Sequence, residues 1–366
     1  MKKLIRIGIA LSLISVLFMT FINSNEKKES YEIVTWNNIY NEENLSFFYD
    51  NSNEKLLGSL KETYDIKIKE KGKSAEHVLE ITKKINELVE ISEVENTKET
   101  SAYAILKKSE NEKVVSAKDM AIIIRDFLAI EEIYSRVGEF RSNSKEETRY
   151  YVIEYWDDKY NKWVMVDFID NGYFANKGIP CSAMEVLQYE IEEFSYIGES
   201  KKENYLKSIK KNLASYTISL DNTISKLKSN SNLTYVYSDN DSIDLDFEGK
   251  FNDPTIYTKN KNLFNVKPKE NSIGKDSKAY IILMKSNNIS AEGEELKPGE
   301  IANDKLIIGG FSSGKIMDSY YLKLNDGEYE LVNKYKEYNF KEGLNKIELS
   351  IDGKNTIATI EILRNL

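Results

Sequence analysis

Residues 149–168 read RYYVIEYWDDKYNKWVMVDF, and this stretch restricts the fold more than any other. Two runs rich in aromatic and β-branched residues flank a polar turn, DDKYN, the pattern of a β-hairpin. A short run, YSRVGEF, precedes it and reads as a further strand. Upstream lies SAKDMAIIIRDFLAI. Met120, Ala121, Ile124, Phe127 and Leu128 make a wide apolar face there, and Ile122 and Ile123 fill much of the rest. Such a helix has to be central and largely buried. Ser116 and Asp119 give it a capping-box-like start.

Other helices carry similar signals. In SAEHVLEITKKINELVEI, Val78, Ile81, Ile85, Leu88 and Val89 share one face, and Ser74 is placed to cap. EKLLGSLKETYDI is a shorter candidate. GIPCSAMEVLQYEIEEF reads as a turn and a helix, with Ser182 and Glu185 as a capping box. Beyond residue 199 a basic helix or connector is followed by short runs such as YTISLD, LTYVYS, AYIILMK and KLIIGGF. Asp326-Gly327 and Asp352-Gly353 are hairpin dipeptides. Many strands at short spacing without intervening helices predict a β-sandwich.

At the N-terminus Lys2, Lys3 and Arg6 precede the apolar run IGIALSLISVLFMTFI. A basic region followed by such a run is an export signal or a signal anchor. No small-x-small cleavage site follows, so an uncleaved single-pass anchor is expected, with everything after it outside the cytoplasm. Secretion after signal cleavage is the alternative. The net charge of -9 over 366 residues argues against a general nucleic-acid binder, although a local basic patch stays compatible with it. Cys181 is the only cysteine, so no intramolecular disulfide exists and the usual zinc sites are excluded. No cofactor or metal is expected. The acidic run Asp239, Asp241, Asp244 and Asp246 alternates with Ile243, Leu245 and Phe247, as the solvated face of a strand does. A calcium loop would place an oxygen ligand where Ile243 sits.

The order of these elements carries a resemblance. VSAKDMA, IEEIYSRVGEF, YYVIEYW and KWVMVD follow one another as do the motifs of the transglutaminase-like superfamily. That family has a papain-like α+β core shared with other cysteine hydrolases. Asp119 and Ala121 match its helix, Arg136 the Arg after the helix, and Glu154, Trp163 and Asp167 its hairpin. The resemblance covers about 75–195. Together with the N-terminal and β-rich signals above, it makes the expected organisation α+β: a hydrophobic segment over 1–24, a transglutaminase-like domain over 25–198, a connector over 199–228 and an Ig-like β-sandwich over 229–366.

The same register removes the family's chemistry. The nucleophile position falls on Ala117 and the base position on Tyr150; of the triad only Asp167 remains. Family members favour a Cys thiolate at the helix N-terminus and pass its proton to a His that the Asp orients. Ala has nothing to ionise, and Tyr, with a pKa of about 10, is a poor base. Losing such members costs roughly 10⁶-fold in turnover. His77, the sole histidine, lies near the first turn of an earlier helix and reads as a packed residue. Ser116 reads as a cap and Cys181 as a small buried residue, with a helix-terminal reactive thiol as its alternative. Glu139, Glu154 and Asp167 leave a paired-carboxylate site open.

The expected function is therefore a non-catalytic, transglutaminase-like module of the cell envelope. Its degenerate cleft would bind a peptide or glycan through Tyr150, Trp156, Trp163 and Asp167, with Asp167 orienting Tyr150. Hairpin packing is the competing reading of Tyr150, Tyr151, Tyr155, Trp156 and Trp163. The competing function is a hydrolase or transferase acting on peptide or glycan with non-standard residues.

Overall fold

A computed structural model describes residues 30–50, 52–66, 68, 72–97, 99–142, 149–226, 231–236, 243–244, 255–268, 276, 278–285 and 305–365. The hydrophobic segment 1–24 lies outside them, as do Asp239, Asp241 and Asp246. Among the described residues no helix is long and apolar enough to cross a membrane. The architecture is mixed α and β with several sheets.

The α-helices are α1 (Lys55–Thr63), α2 (Ala75–Asn86), α3 (Ala102–Lys108), α4 (Ala117–Ile130), α5 (Ala183–Gln188) and α6 (Lys202–Ile209). Capping fixes three of the starts as the sequence predicts. Ser74 accepts from the His77 N–H, Ser116 from the Asp119 N–H, and Ser182 with Glu185 forms a reciprocal capping box. Helix α4 is buried nearly all round because α1, α2 and α3 cover the sides the sheet does not. Its Asp126 carboxylate accepts from the Ala102 N–H, tying α3's first turn to the core.

The strands include β1 (Ser30–Trp36), β2 (Ser135–Arg141), β3 (Arg149–Asp157), β4 (Lys162–Val166), β5 (Ser215–Ser219), β6 (Asn232–Val236), β7 (Thr255–Thr258), β8 (Tyr280–Lys285), β9 (Lys305–Ser312), β10 (Ser319–Leu324), β11 (Glu330–Asn333), β12 (Gly343–Ser350) and β13 (Thr356–Asn365). A six-stranded central sheet has the order β7-β6-β5-β2-β3-β4. The hairpin β3–β4 forms as expected, with Trp156 opposite Trp163. Strand β5 falls within 199–228, which the sequence reads as a connector, yet it pairs antiparallel with β2. β6 and β7, expected with the later β region, extend the same sheet. A strand binds where register and burial complete a sheet, and chain order does not determine that.

The remaining strands make a second six-stranded sheet, in which the two-residue strand Ile243–Asp244 is followed by β1, β13, β12, β10 and β11, and a smaller sheet centred on β9. Tyr320, Leu322, Ile347, Leu349, Ile360 and Ile362 of the first share a buried core with Ile281 and Ile308 of the second. Both Asp-Gly dipeptides lie between paired strands, and Gly353 has φ +72°. Residues 30–49 form a strap. β1 pairs with the C-terminal strand β13, Asn38 makes two 2.7 Å bonds to the backbone of Ile281, and Phe48–Tyr49 pairs with Asp221–Asn222.

Candidate functional site

Alternation along the hairpin sends its residues to opposite faces. Tyr151, Ile153, Tyr155, Val164 and Val166 join the core that contains α1–α4. Val152 and Met165 join a different core, with α5, α6 and the strap, and Tyr150 packs against that one. Ala117 packs against the first core. The structure therefore brings Tyr150 and Asp167 together and leaves Ala117 on the other side of the sheet. The three positions that the resemblance places in one site do not converge, because a continuous sheet separates them.

Tyr150 and Asp167 form a closed cluster. Asp167 is 0 % exposed. Its Oδ1 accepts from the Ile169 and Asp170 N–H groups at 2.8 and 3.1 Å, and its Oδ2 accepts from the hydroxyls of Tyr150 and Tyr205, each at 2.5 Å. Tyr205 stacks on Tyr196, ring centroids 4.0 Å apart, and Tyr196 donates to Asp170. Burial raises the pKa of Asp167 above the carboxylate range, against the pull of its hydrogen bonds. Burial, and then the adjacent Asp167 charge, also raises that of Tyr150. A phenol held this way ionises even less than a free one, so almost no phenolate is present near neutrality to act as a base.

One strand step away, Glu154 is the centre of a second buried cluster. Arg136 donates to Glu154 Oε2 from Nε at 2.8 Å and Nη2 at 2.6 Å; Tyr216 donates to the same oxygen at 2.8 Å. The Ala183 N–H at the start of α5 donates to Oε1 at 2.9 Å. The Arg136 guanidinium lies 4.1 Å over the Trp163 ring, and Trp163 Nε1 donates to the Val266 carbonyl at 2.9 Å. Of the residues that match the family pattern, Arg136 and Glu154 therefore meet as a buried ion pair beside Trp163, while Asp167 belongs to the other cluster. Trp163 is 0 % exposed and Trp156 3 %, and their rings pack edge to face at 5.6 Å. Both tryptophans are buried and packed against each other in the hairpin, and the Trp163 ring lies under Arg136.

The alternative nucleophiles fare no better. Cys181 is buried and its thiol is pushed up to about 12, first by burial and then by Glu185. His77 is buried, and neither ring nitrogen has a hydrogen-bond partner among the described residues. Ser116 Oγ is engaged with Asp119 as a cap. Glu139, on the α4 face, receives Arg141 Nε at 2.7 Å. Among the described residues no group of three metal-ligating side chains could hold a metal ion.

An open cleft of mixed polar and apolar lining lies elsewhere, on the α4 face of the sheet. Lys118 and Ile122 of α4, Glu139 of β2, Tyr151 of β3, Thr217 of β5 and Asn232 of β6 line it. No family model, curated protein or solved structure matches the chain. Of the cleft's residues the sequence singles out only Glu139 and Tyr151 for binding or chemistry. The others come from elements far apart in the chain, and only the sheet order assembles them. The available signal is parity: Glu139, Tyr151 and Thr217 occupy facing positions in the β2–β3 and β2–β5 registers.

Proposed function

We propose that this chain is a non-catalytic binding module of the cell envelope, held to the membrane by its N-terminal hydrophobic segment. On this reading the core is a degenerate transglutaminase-like domain and the later strands form an Ig-like sandwich. One observation supports the non-catalytic part above the rest. Glu154 and Asp167 are both 0 % exposed, and all four of their oxygens already accept hydrogen bonds. A general acid or base has to reach substrate or water within hydrogen-bond distance, and neither carboxylate has an open side. The order of α4, β2 with Arg136, β3 with Glu154 and β4 leading to Asp167 follows the family motifs, while Ala117, on the far side of the sheet from Tyr150 and Asp167, departs from them.

Binding would use the open cleft on the α4 face, with a peptide or glycan of the envelope as ligand. The test takes the full chain in mild detergent and measures two things: retention on purified cell-wall glycan with and without its peptides, and hydrolysis or transfer at peptide amides. Retention without turnover is expected. The double variant A117C/Y150H is expected to stay inactive, since its new groups would face opposite sides of the sheet. Turnover by the unaltered chain, or no retention on either material, overturns the reading.

A further inference from the structure

Strand β1 fixes where the chain coming from the hydrophobic segment joins the fold. Ser30 opens β1 and lies opposite Asn365 of β13, and the neighbouring Arg364 lies opposite Gly343, the first residue of β12. Ser30 therefore stands at the end of the second sheet where β13 finishes and β12 starts. The strap leaves at the other end. Past Trp36, Asn38 bonds the backbone of Ile281, and the Tyr40 N–H reaches the Tyr257 carbonyl of β7 in the central sheet. The seven residues of β1 cover about 20 Å. Entry from the hydrophobic segment and contact with the central sheet thus lie at opposite ends of that strand.

Chain length limits how far Ser30 can stand from a bilayer. Eight residue steps separate it from Ile22, the last residue of the apolar run. A fully extended chain spans at most about 3.6 Å per residue, a reach of about 29 Å. The far end of the sheet, at Ile351 just past β12, lies nine residue steps from the level of Ser30, or about 30 Å along the strands. With that far end on the membrane, the chain from Ser30 would also have to cross a headgroup layer of about 6 Å, beyond its reach.

Exposed apolar side chains do not choose between the ends by themselves. Leu344 is 59 % exposed at the Ser30 end and Ile351 56 % at the other. Leu344 stands directly across from the half-buried Leu363 of β13, so the near end presents an apolar pair. Further along the same face Lys346 and Lys323 both pair with Glu348, so the flat of the sheet is charged there.

We infer that the end of the second sheet carrying Leu344 and Leu363 rests on the lipid headgroups of the membrane that holds the hydrophobic segment, with the central sheet joined at the end turned away. This placement rests on the reading of that segment as an uncleaved anchor and names the surface that meets the bilayer.

The test reconstitutes the full chain into lipid vesicles. Cys181→Ala removes the native thiol, and Leu344→Cys or Ile351→Cys then gives one site for a fluorescent label. Lipids with a nitroxide on the headgroup are the quencher. Quenching at position 344 is expected to exceed that at position 351 roughly threefold or more, because about 24 Å of strand lies between the two labels. Lys341→Cys and Lys354→Cys, both exposed and at the same two ends, repeat the comparison if either labelled variant unfolds below the parent. Equal quenching at the two ends, or more at position 351, overturns the inference. Flotation with the vesicles is measured on the same samples. If the chain floats while the two labels quench alike, only this inference falls; if it does not float, the anchor reading falls with it.

Discussion

The Tyr150 hydroxyl donates to Asp167 Oδ2 over 2.5 Å on the face of the central sheet turned away from α4. The pair satisfies a fully buried carboxylate that Tyr205 completes from α6. Tyr150→Phe or Tyr205→Phe removes one of two hydroxyl donors and should destabilise the chain by about 1–3 kcal/mol. The double variant should depart from additivity, since both donors serve one oxygen. Urea denaturation of the singles and the double checks this, and additive losses would show that the two bonds act independently.

The same carboxylate makes stability depend on pH. Burial raises the pKa of Asp167, and likewise that of Asp126, above the unfolded value of about 4. The folded state then binds more protons than the unfolded state as pH climbs from the unfolded to the raised folded value. These two groups' contribution to stability is full below the unfolded value and is lost as pH rises through the folded one. Glu76, held low first by the Tyr173 hydroxyl, works in the opposite direction. Asp167→Asn isolates the effect: its difference in denaturation midpoint from the parent should change with pH across that window and be flat above it. A difference that is constant throughout would refute the linkage.

Arg136 and Glu154 are a buried pair, 1 % and 0 % exposed in their side chains. Arg136→Met should cost about 3–5 kcal/mol, because it leaves Glu154 charged and without its partner in the interior. Adding Glu154→Gln should recover part of that loss by removing the stranded charge. Thermal and urea unfolding of the single and double variants measure the recovery. Further destabilisation in the double would mean that the hydrogen bonds from Ala183 and Tyr216 need the carboxylate itself.

Gly138 sits where a side chain cannot. A Cβ there would lie 2.0 Å from the Tyr216 hydroxyl, which also donates to Glu154. Gly138→Ala has to push that ring aside, at a cost of about 1–3 kcal/mol for overpacking alone. Tyr216→Ala combined with Gly138→Ala should be less unstable than the sum of the two changes, because the clash is then absent.

Cys181 should be inert while the chain is folded. Its thiol is buried and pushed up to about 12, so almost none is thiolate near neutrality. Reaction with a thiol reagent at pH 8 is expected to track global unfolding and to reach one equivalent only in denaturant. Rapid labelling of the native chain would revive it as a candidate nucleophile.

What the sequence determined by itself was local. Ser74, Ser116 and Ser182 announce their helices because a cap is a bond across three residues, and the apolar belt of α4 forces its burial. The hairpin declares itself through two alternating runs and a polar turn, and Tyr150 and Asp167 meet because they stand near one another across it. Tertiary structure alone decided the rest. Alternation says that a strand has two faces, but it does not say which face a helix covers; α4 lies over Tyr151, so Ala117 and Tyr150 are parted. Chain order does not predict that β5 and β6 complete the central sheet or that β1 pairs with β13, since each pairing joins segments far apart and depends on register. The cleft at Lys118 is a product of those pairings, and its residues become neighbours only when the sheet closes beneath α4.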